Sequence, residues 1–179
     1  FLLVFLMSGL ESAGLAGDET ISGLETFLVF LFAAIFALPM PLLPLQILWL
    51  NMVTDTFPAL ALALEPGDAA VMARPPRKPD EAILSREFFL GVFFYALLIT
   101  ASTLAALVVY REGSIQHART AAFMTLAFAQ MFHLGNARSD QAVTGRRMVS
   151  NPYALAALAL SVALQLGAAY LPPLARVLG

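Results

Sequence analysis

Long apolar stretches separated by short polar segments run through most of this chain. Residues 88–110 contain no charged side chain, and residues 120–136 and 152–171 are nearly as apolar. The hydrocarbon core of a bilayer is about 30 Å thick and needs ~20 apolar helical residues to cross it. Each of the three stretches therefore predicts a membrane-spanning helix.

Two further helices are predicted upstream, over residues 27–38 and 42–64. The segment between them, "LPMPLLP", carries prolines at positions 39, 41 and 44. Proline lacks the backbone N–H and clashes with the preceding helical turn, so this segment predicts a tight connection. Together with the three spans above, the pattern predicts five helices joined by short loops.

The first 26 residues are harder to assign. Residues 1–16 are apolar apart from Glu11 and could form a short extra helix. The pattern therefore divides the chain into a divergent N-terminal segment, residues 1–26, and a membrane domain, residues 27–179. The predicted fold class is an all-α membrane protein, a bundle of five to six transmembrane helices.

Composition supports the membrane class. The chain is 60% hydrophobic and only 12% charged, whereas a typical soluble domain has about 25% charged residues. The net charge of −2 and the lack of a basic tract argue against nucleic acid as a partner. The predicted partner is the lipid bilayer. The absence of cysteine excludes disulfides and thiolate chemistry.

Positive charges in the loops predict the orientation. The loops at 66–87 and 137–151 hold most of the arginines and the lysine. By the positive-inside rule these loops are cytoplasmic, and the proline-rich turn lies on the opposite side. We expect a multi-pass protein, in a bacterial plasma membrane.

The helix predicted over residues 42–64 has polar residues in its middle. Asn51, Thr54 and Asp55 have i, i+3, i+4 spacing and share one helix face. In an α-helix, Pro58 would leave the Thr54 carbonyl without its N–H donor and break the helix. Amide, hydroxyl, carboxylate and freed carbonyl are hard oxygen ligands, of the kind that calcium or sodium prefers.

The energy of burial favours a functional role for the carboxylate. An aspartate at a helix centre costs roughly 2.5–3.5 kcal/mol on insertion scales. The structural alternative is that Asp55 caps the second half of the broken helix. For Thr54, a bond back to its own helix is as reasonable as a role as a ligand.

Two further polar residues are candidates for the same site. Gln130 lies within the helix at 120–136 and could complete a cation site, although an interhelical hydrogen bond is the commoner role. Glu25 could reach the polar cluster or mark the start of the helix at 27–38. No phosphate-binding loop, His/Cys metal cluster or nucleophile–base pair is evident. These residues alone leave a channel, a secondary transporter and a pump as alternatives.

A longer pattern resembles a known family. "PLLPLQILWLNMVTDTFPALALALEP" followed by "DAAVMARPPRKPDEAILSREFF" resembles the sixth membrane helix and following loop of the cation-transporting P-type ATPases, in the calcium-pump branch. "TLAFAQMFHLGNARS" and "NPYALAALALSVALQL" are similar to their eighth and ninth helices. The resemblance covers residues 27–171.

The resemblance implies that Asn51 and Asp55, and to a lesser degree Thr54, bind the transported cation. Gln130 falls where some calcium pumps have a glutamate, which suggests a single calcium site or another ion. Ungapped alignment places Thr26 at the position of a fifth-helix ligand, with Glu25 one residue away.

The family implies further parts that this sequence does not contain. ATP and magnesium would bind to phosphorylation, nucleotide and actuator domains, and a fourth-helix glutamate would complete the cation site. Residues 1–24 do not resemble the family's stalk, and no tenth helix is recognisable. We therefore expect a fragment that is not catalytic alone, with a stand-alone membrane binding or regulatory module, or a secondary transporter, as the alternative.

Overall fold

The computed structural model describes residues 17–64, 86–137 and 151–178, and every regular element in these ranges is helical. This confirms the all-α prediction for the described part of the chain. The elements are α1 (Gly17–Ile35), α2 (Pro44–Leu50), a π-helical segment (Asn51–Thr56), α3 (Phe57–Ala63), α4 (Arg86–Tyr110), α5 (Ile115–Ala137), α6 (Pro152–Tyr170) and α7 (Pro172–Leu178).

Two of the described helices are long and apolar enough to cross a membrane. They are Phe89–Tyr110, within α4, and Pro152–Tyr170, which is α6, and a shorter apolar helix covers Gly23–Ile35. The predicted total of five to six crossings stays a prediction. Residues 1–16, and most of the loops predicted to be cytoplasmic at 66–87 and 137–151, lie outside the described residues.

Polar caps explain where two helices begin. Ser114 Oγ accepts a hydrogen bond from the His117 amide at 3.1 Å, so α5 begins at Ile115 rather than at Thr120 as the apolar pattern predicts. Asn151 Oδ1 accepts from the Tyr153 and Ala154 amides and caps α6. A side-chain oxygen at this position satisfies amides that have no partner within the helix.

The end of α1 has an uncommon backbone conformation. The Leu38 amide donates to the Ala33 carbonyl at 2.8 Å, and the Ala37 amide donates to the Ala34 carbonyl at 3.2 Å. This is the Schellman arrangement, which needs a left-handed residue that is usually glycine. Here the residue is Ala37, with φ of 50°.

The proline-rich turn is fixed on both sides. Gln46 Oε1 accepts from the Leu43 amide at 2.9 Å, which caps α2. Arg119 Nε, on α5, donates to the Met40 carbonyl at 3.0 Å. The turn at 36–43 and the α4–α5 connection therefore lie at the same end of the bundle, as the predicted alternation of helices requires.

We call Pro44–Ala63 the segmented helix, because it comprises α2, the π-helical segment and α3 in succession. Its α3 portion packs against α6, while α4 packs against both α1 and α5. Among the residues that the structure describes, the apolar core forms two clusters. One joins the segmented helix, α4, α5, α6 and α7, and it contains Leu42, Leu50, Val53, Val92, Ile99, Phe123, Leu126, Ala127, Met131, Ala168 and Leu178. The other joins α1, α4 and α5, and it contains Val29, Ala33, Leu104, Leu107, Ala118 and Ala122.

Candidate cation site

The segmented helix does not break at Pro58. Residues Asn51–Thr56 take up π-helical geometry, and an α-helix resumes at Phe57. The predicted proline-broken helix is therefore wrong in form, although the irregularity lies where the polar residues predicted it. The predicted release of the Thr54 carbonyl assumed α-helical spacing, which this segment does not have. π-Helical turns inside α-helices occur frequently at functional sites.

The three polar residues of this segment have different environments. Thr54 is buried, Asp55 is half-buried and Asn51 is exposed. Thr54 Oγ1 lies 2.8 Å from the Leu50 carbonyl oxygen and 3.0 Å from Asp55 Oδ1. Its single proton can be donated to either oxygen, so the bond back to its own helix and a tie to Asp55 are both available.

Glu25 and Gln130 lie together between helices. Glu25, on α1, is fully buried, and Gln130, on α5, is 8% exposed. Gln130 Nε2 donates to Glu25 Oε1. The Glu25 backbone carbonyl accepts a hydrogen bond from Thr100 Oγ1 of α4 at 3.3 Å. Glu25 therefore faces the interior, and its neighbour Thr26, which ungapped alignment favoured, is only half-buried.

The π-helical segment packs against the helices that carry Glu25 and Gln130. The π-helical segment contacts α1, α5 and α6, the first two of which carry Glu25 and Gln130. Carboxylate, amide and hydroxyl oxygens are the ligands that calcium takes in proteins, usually six to eight of them. In the part of the chain that the structure describes, no three His, Cys, Asp or Glu side chains form a cluster. The candidate oxygens therefore come from mixed side chains on three helices.

Helix α6 carries polar contacts that the sequence analysis missed. Trp49 Nε1 donates to Gln165 Oε1 at 3.2 Å, and Ser161 Oγ donates to the Val53 carbonyl at 2.7 Å. Asn151 Nδ2 donates to the Ala61 carbonyl at 3.0 Å. All three α6-side residues are buried. The i, i+4 spacing of Ser161 and Gln165 in an otherwise apolar helix was the available signal.

The family of the chain follows from comparison with known proteins. Residues 39–179 match the family model described as "Cation transporting ATPase, C-terminus". The chain therefore belongs to the cation-transporting ATPases, as a carboxy-terminal domain of the P-type. The match confirms the family resemblance, and it begins at the proline-rich turn.

Curated relatives agree with this assignment. The chain is 40% identical to the calcium-transporting ATPase of Bacillus subtilis over 156 residues, which cover 86% of this chain and 18% of that protein. It is 34% identical to calcium-transporting ATPase 1 of Bacillus cereus over 157 residues, 78% of this chain and 18% of the relative. For the human calcium-transporting ATPase type 2C member 2 the identity is 32% over 151 residues, 81% of this chain and 16% of the relative. The chain thus spans under a fifth of the length of these relatives.

Proposed function

We propose that this chain is the membrane transport domain of an ATP-driven calcium pump and supplies part of its intramembrane cation site. Glu25, Thr54, Asp55 and Gln130 are the proposed ligands, with Asn51 at the edge of the site. ATP and magnesium would act on phosphorylation, nucleotide and actuator domains in other parts of the pump.

The observation that carries the proposal is the buried carboxylate of Glu25. The Gln130 amide donates a hydrogen bond to this carboxylate. Glu25 lies on α1 and Gln130 on α5, and the π-helical segment contacts both helices. A buried carboxylate in a membrane bundle is costly, and such residues commonly mark ion pathways. Relatives in two Bacillus species and in human are named calcium-transporting ATPases, which supports calcium as the transported ion.

The proposed topology is a multi-pass bundle of five or six transmembrane helices. In it, the loops at 66–87 and 137–151 face the cytoplasm, where the first contacts the phosphorylation domain. Two apolar helices of sufficient length, α4 and α6, support this arrangement. Phosphorylation would move the helices so that the π-helical segment binds the cation on one side and releases it on the other.

ATP-driven calcium uptake by membrane vesicles tests the proposal, using the intact protein that contains this chain. In the Asp55→Asn variant we expect the calcium concentration for half-maximal uptake to rise up to roughly a hundredfold, since Asp55 is half-buried and loss of a fully buried charge partner costs about 3 kcal/mol. Glu112→Gln is the matched control, because Glu112 is exposed in the α4–α5 connection. Normal calcium uptake by the Asp55→Asn variant would contradict the assignment of the site.

A further inference from the structure

The Val53 carbonyl receives its hydrogen bond from another helix. Val53 lies in the π-helical segment and Ser161 lies on α6, and both are 0% exposed. The Ser161 hydroxyl donates to the Val53 carbonyl oxygen at 2.7 Å. This short bond within the buried interface connects the backbone of the candidate site to a helix that contributes none of the proposed ligands.

The position of Pro58 explains why Val53 needs an external donor. In a π-helix a carbonyl accepts from the amide five residues ahead, which for Val53 is residue 58. Proline has no N–H, so the π-helical hydrogen bond of Val53 cannot form. A buried carbonyl without a donor is strongly unfavourable, and no water reaches it inside a bilayer.

The same bond distinguishes π-helical from α-helical geometry. In an α-helix a carbonyl accepts from the amide four residues ahead. Val53 would then pair with the Phe57 amide, and the Thr54 carbonyl would be the one opposite Pro58. The Ser161 hydroxyl reaches Val53, so it compensates for proline in the π-helical form and is superfluous in the α-helical one.

The geometry of this segment decides which residues face the site. A shift of one residue in helical register rotates everything beyond it by about 100°. Thr54 and Asp55 lie within the segment, so their direction relative to Glu25 and Gln130 depends on its register. Two other contacts, Gln165 with Trp49 and Asn151 with the Ala61 carbonyl, hold α6 alongside the segmented helix on either side of Ser161.

We infer that Ser161 is a positioning residue for the cation site: its hydroxyl replaces the backbone donor that Pro58 lacks and holds Asn51–Thr56 in the π-helical form. The consequence for cation binding rests on the proposed function. The Ser161–Val53 hydrogen bond and its dependence on Pro58 do not rest on the proposed function.

The first measurement is the calcium dependence of uptake by the intact protein carrying Ser161→Ala. We expect the calcium concentration for half-maximal uptake to rise ~tenfold, the scale of one unsatisfied buried acceptor, with the maximal rate less affected. Ser102→Ala is the matched control, because the Ser102 hydroxyl bonds to Ile99 in its own helix at 2.8 Å. Ser161→Cys keeps a weak donor of similar size and should fall between Ser161→Ala and the unchanged protein.

Coupling to Pro58 separates a positioning role from a general packing role. Pro58→Ala restores an N–H that can donate to Val53 in the π-helical form. In that background Ser161→Ala should change the half-maximal calcium concentration by less than about twofold. The inference is overturned if Ser161→Ala has the same effect with and without Pro58, or if it behaves like Ser102→Ala.

An infrared measurement reports on the bond without any cation. With ¹³C at valine carbonyls, Ser161→Ala should move the amide I intensity of one carbonyl to higher frequency, and Ser102→Ala should not. If this shift is seen but even Asp55→Asn leaves calcium uptake normal, the proposed function fails and the Ser161–Val53 bond stands. If Asp55→Asn abolishes uptake and Ser161→Ala moves neither the band nor the calcium dependence, the inference fails and the proposed function stands.

Discussion

Helix α4 and the segmented helix satisfy their polar groups in different ways. α4 is α-helical from Arg86 to Tyr110, and its Ser102 hydroxyl bonds to a carbonyl of the same helix. The segmented helix changes geometry at Asn51–Thr56. It receives hydrogen bonds to its backbone from Ser161 and Asn151 of the α6 side, and its Trp49 indole donates to Gln165.

The difference shows where a membrane helix can carry function. Inside a bilayer every backbone polar group needs a partner in the protein. A regular α-helix such as α4 supplies these backbone partners itself, although its Thr100 hydroxyl also donates to the Glu25 carbonyl of α1. The segmented helix depends on α6 for some of its backbone partners, and its π-helical segment carries the Asp55 carboxylate and the Thr54 hydroxyl.

The largest expected effect comes from removing the charge of Glu25. In the Glu25→Gln variant of the intact protein, we expect the half-maximal calcium concentration for uptake to rise at least about a hundredfold, because a buried charge partner is worth ~3–5 kcal/mol. The amide retains the size of the side chain, so the helices should still assemble. The check is calcium-dependent ATP hydrolysis alongside ⁴⁵Ca uptake.

Gln130→Leu is the companion variant for Glu25. It removes the donor to Glu25 Oε1 while leaving the carboxylate in place. Because Gln130 would contribute a neutral amide oxygen and Glu25 a charged carboxylate, Gln130→Leu should weaken calcium activation less than Glu25→Gln does. Equal effects would mean that the charge of Glu25 adds nothing to calcium activation beyond the hydrogen bond with Gln130.

In the regular helix α4, Leu107→Ala should lower the free energy of unfolding and leave cation binding nearly unchanged. Leu107 is fully buried in the cluster of α1, α4 and α5. We expect a loss of about 2 kcal/mol in the free energy of unfolding, the low end for buried leucines. The cost is low because a leucine released into lipid remains in an apolar environment. Unfolding in mixed micelles measures the loss.

The calcium dependence of the Leu107→Ala variant tests whether packing of α4 affects the cation site. We expect its half-maximal calcium concentration to stay within about twofold of the unchanged protein, since well-separated sites contribute nearly independently. A large shift would show that the regular half of the bundle also sets the geometry of the cation site.

A smaller effect is expected from the interface between α6 and the segmented helix. In the Asn151→Ser variant the serine can still cap α6 but lacks the amide that donates to the Ala61 carbonyl. We expect a loss of about 1 kcal/mol in unfolding free energy. Asn151→Ala also removes the cap and should cost about 1 kcal/mol more. Equal losses in the two variants would argue against the interhelical bond.

The bounds of some helices were predictable from the sequence, but the helix predicted over residues 27–38 is observed over Gly17–Ile35 and crosses the predicted boundary after residue 26. Apolar length and flanking polar residues placed α4 and α6 within two residues of their observed bounds. The start of α5 was missed because the Ser114 cap extends the helix through the polar residues of its first turn. Apolar runs locate the part of a helix that faces lipid, whereas capping decides where it begins.

The candidate site was predictable in its members but not in its geometry. Asn51, Thr54 and Asp55 were evident as polar residues in an apolar helix, and the pairing of Glu25 with Gln130 required the packing of α1 against α5. The π-helical form could not be read from spacing, because its stability depends on Ser161, more than a hundred residues away in sequence. Non-local hydrogen bonds of this kind leave little local signal.

The smallest expected effect has the opposite sign and lies at the end of α1. Ala37 has φ of 50° in a Schellman turn, a conformation that costs an L-residue with a Cβ roughly 1 kcal/mol relative to glycine. Ala37→Gly should therefore raise the unfolding free energy by about 0.5–1 kcal/mol, because the greater freedom of glycine in the unfolded chain offsets part of the gain.

The control is Ala105→Gly, at an exposed position inside regular α4, where the same change should lower stability by about 0.5–1 kcal/mol. Opposite signs at the two positions are expected, since only Ala37 requires left-handed backbone. A loss of stability at both would mean that Ala37 does not hold this conformation in the membrane.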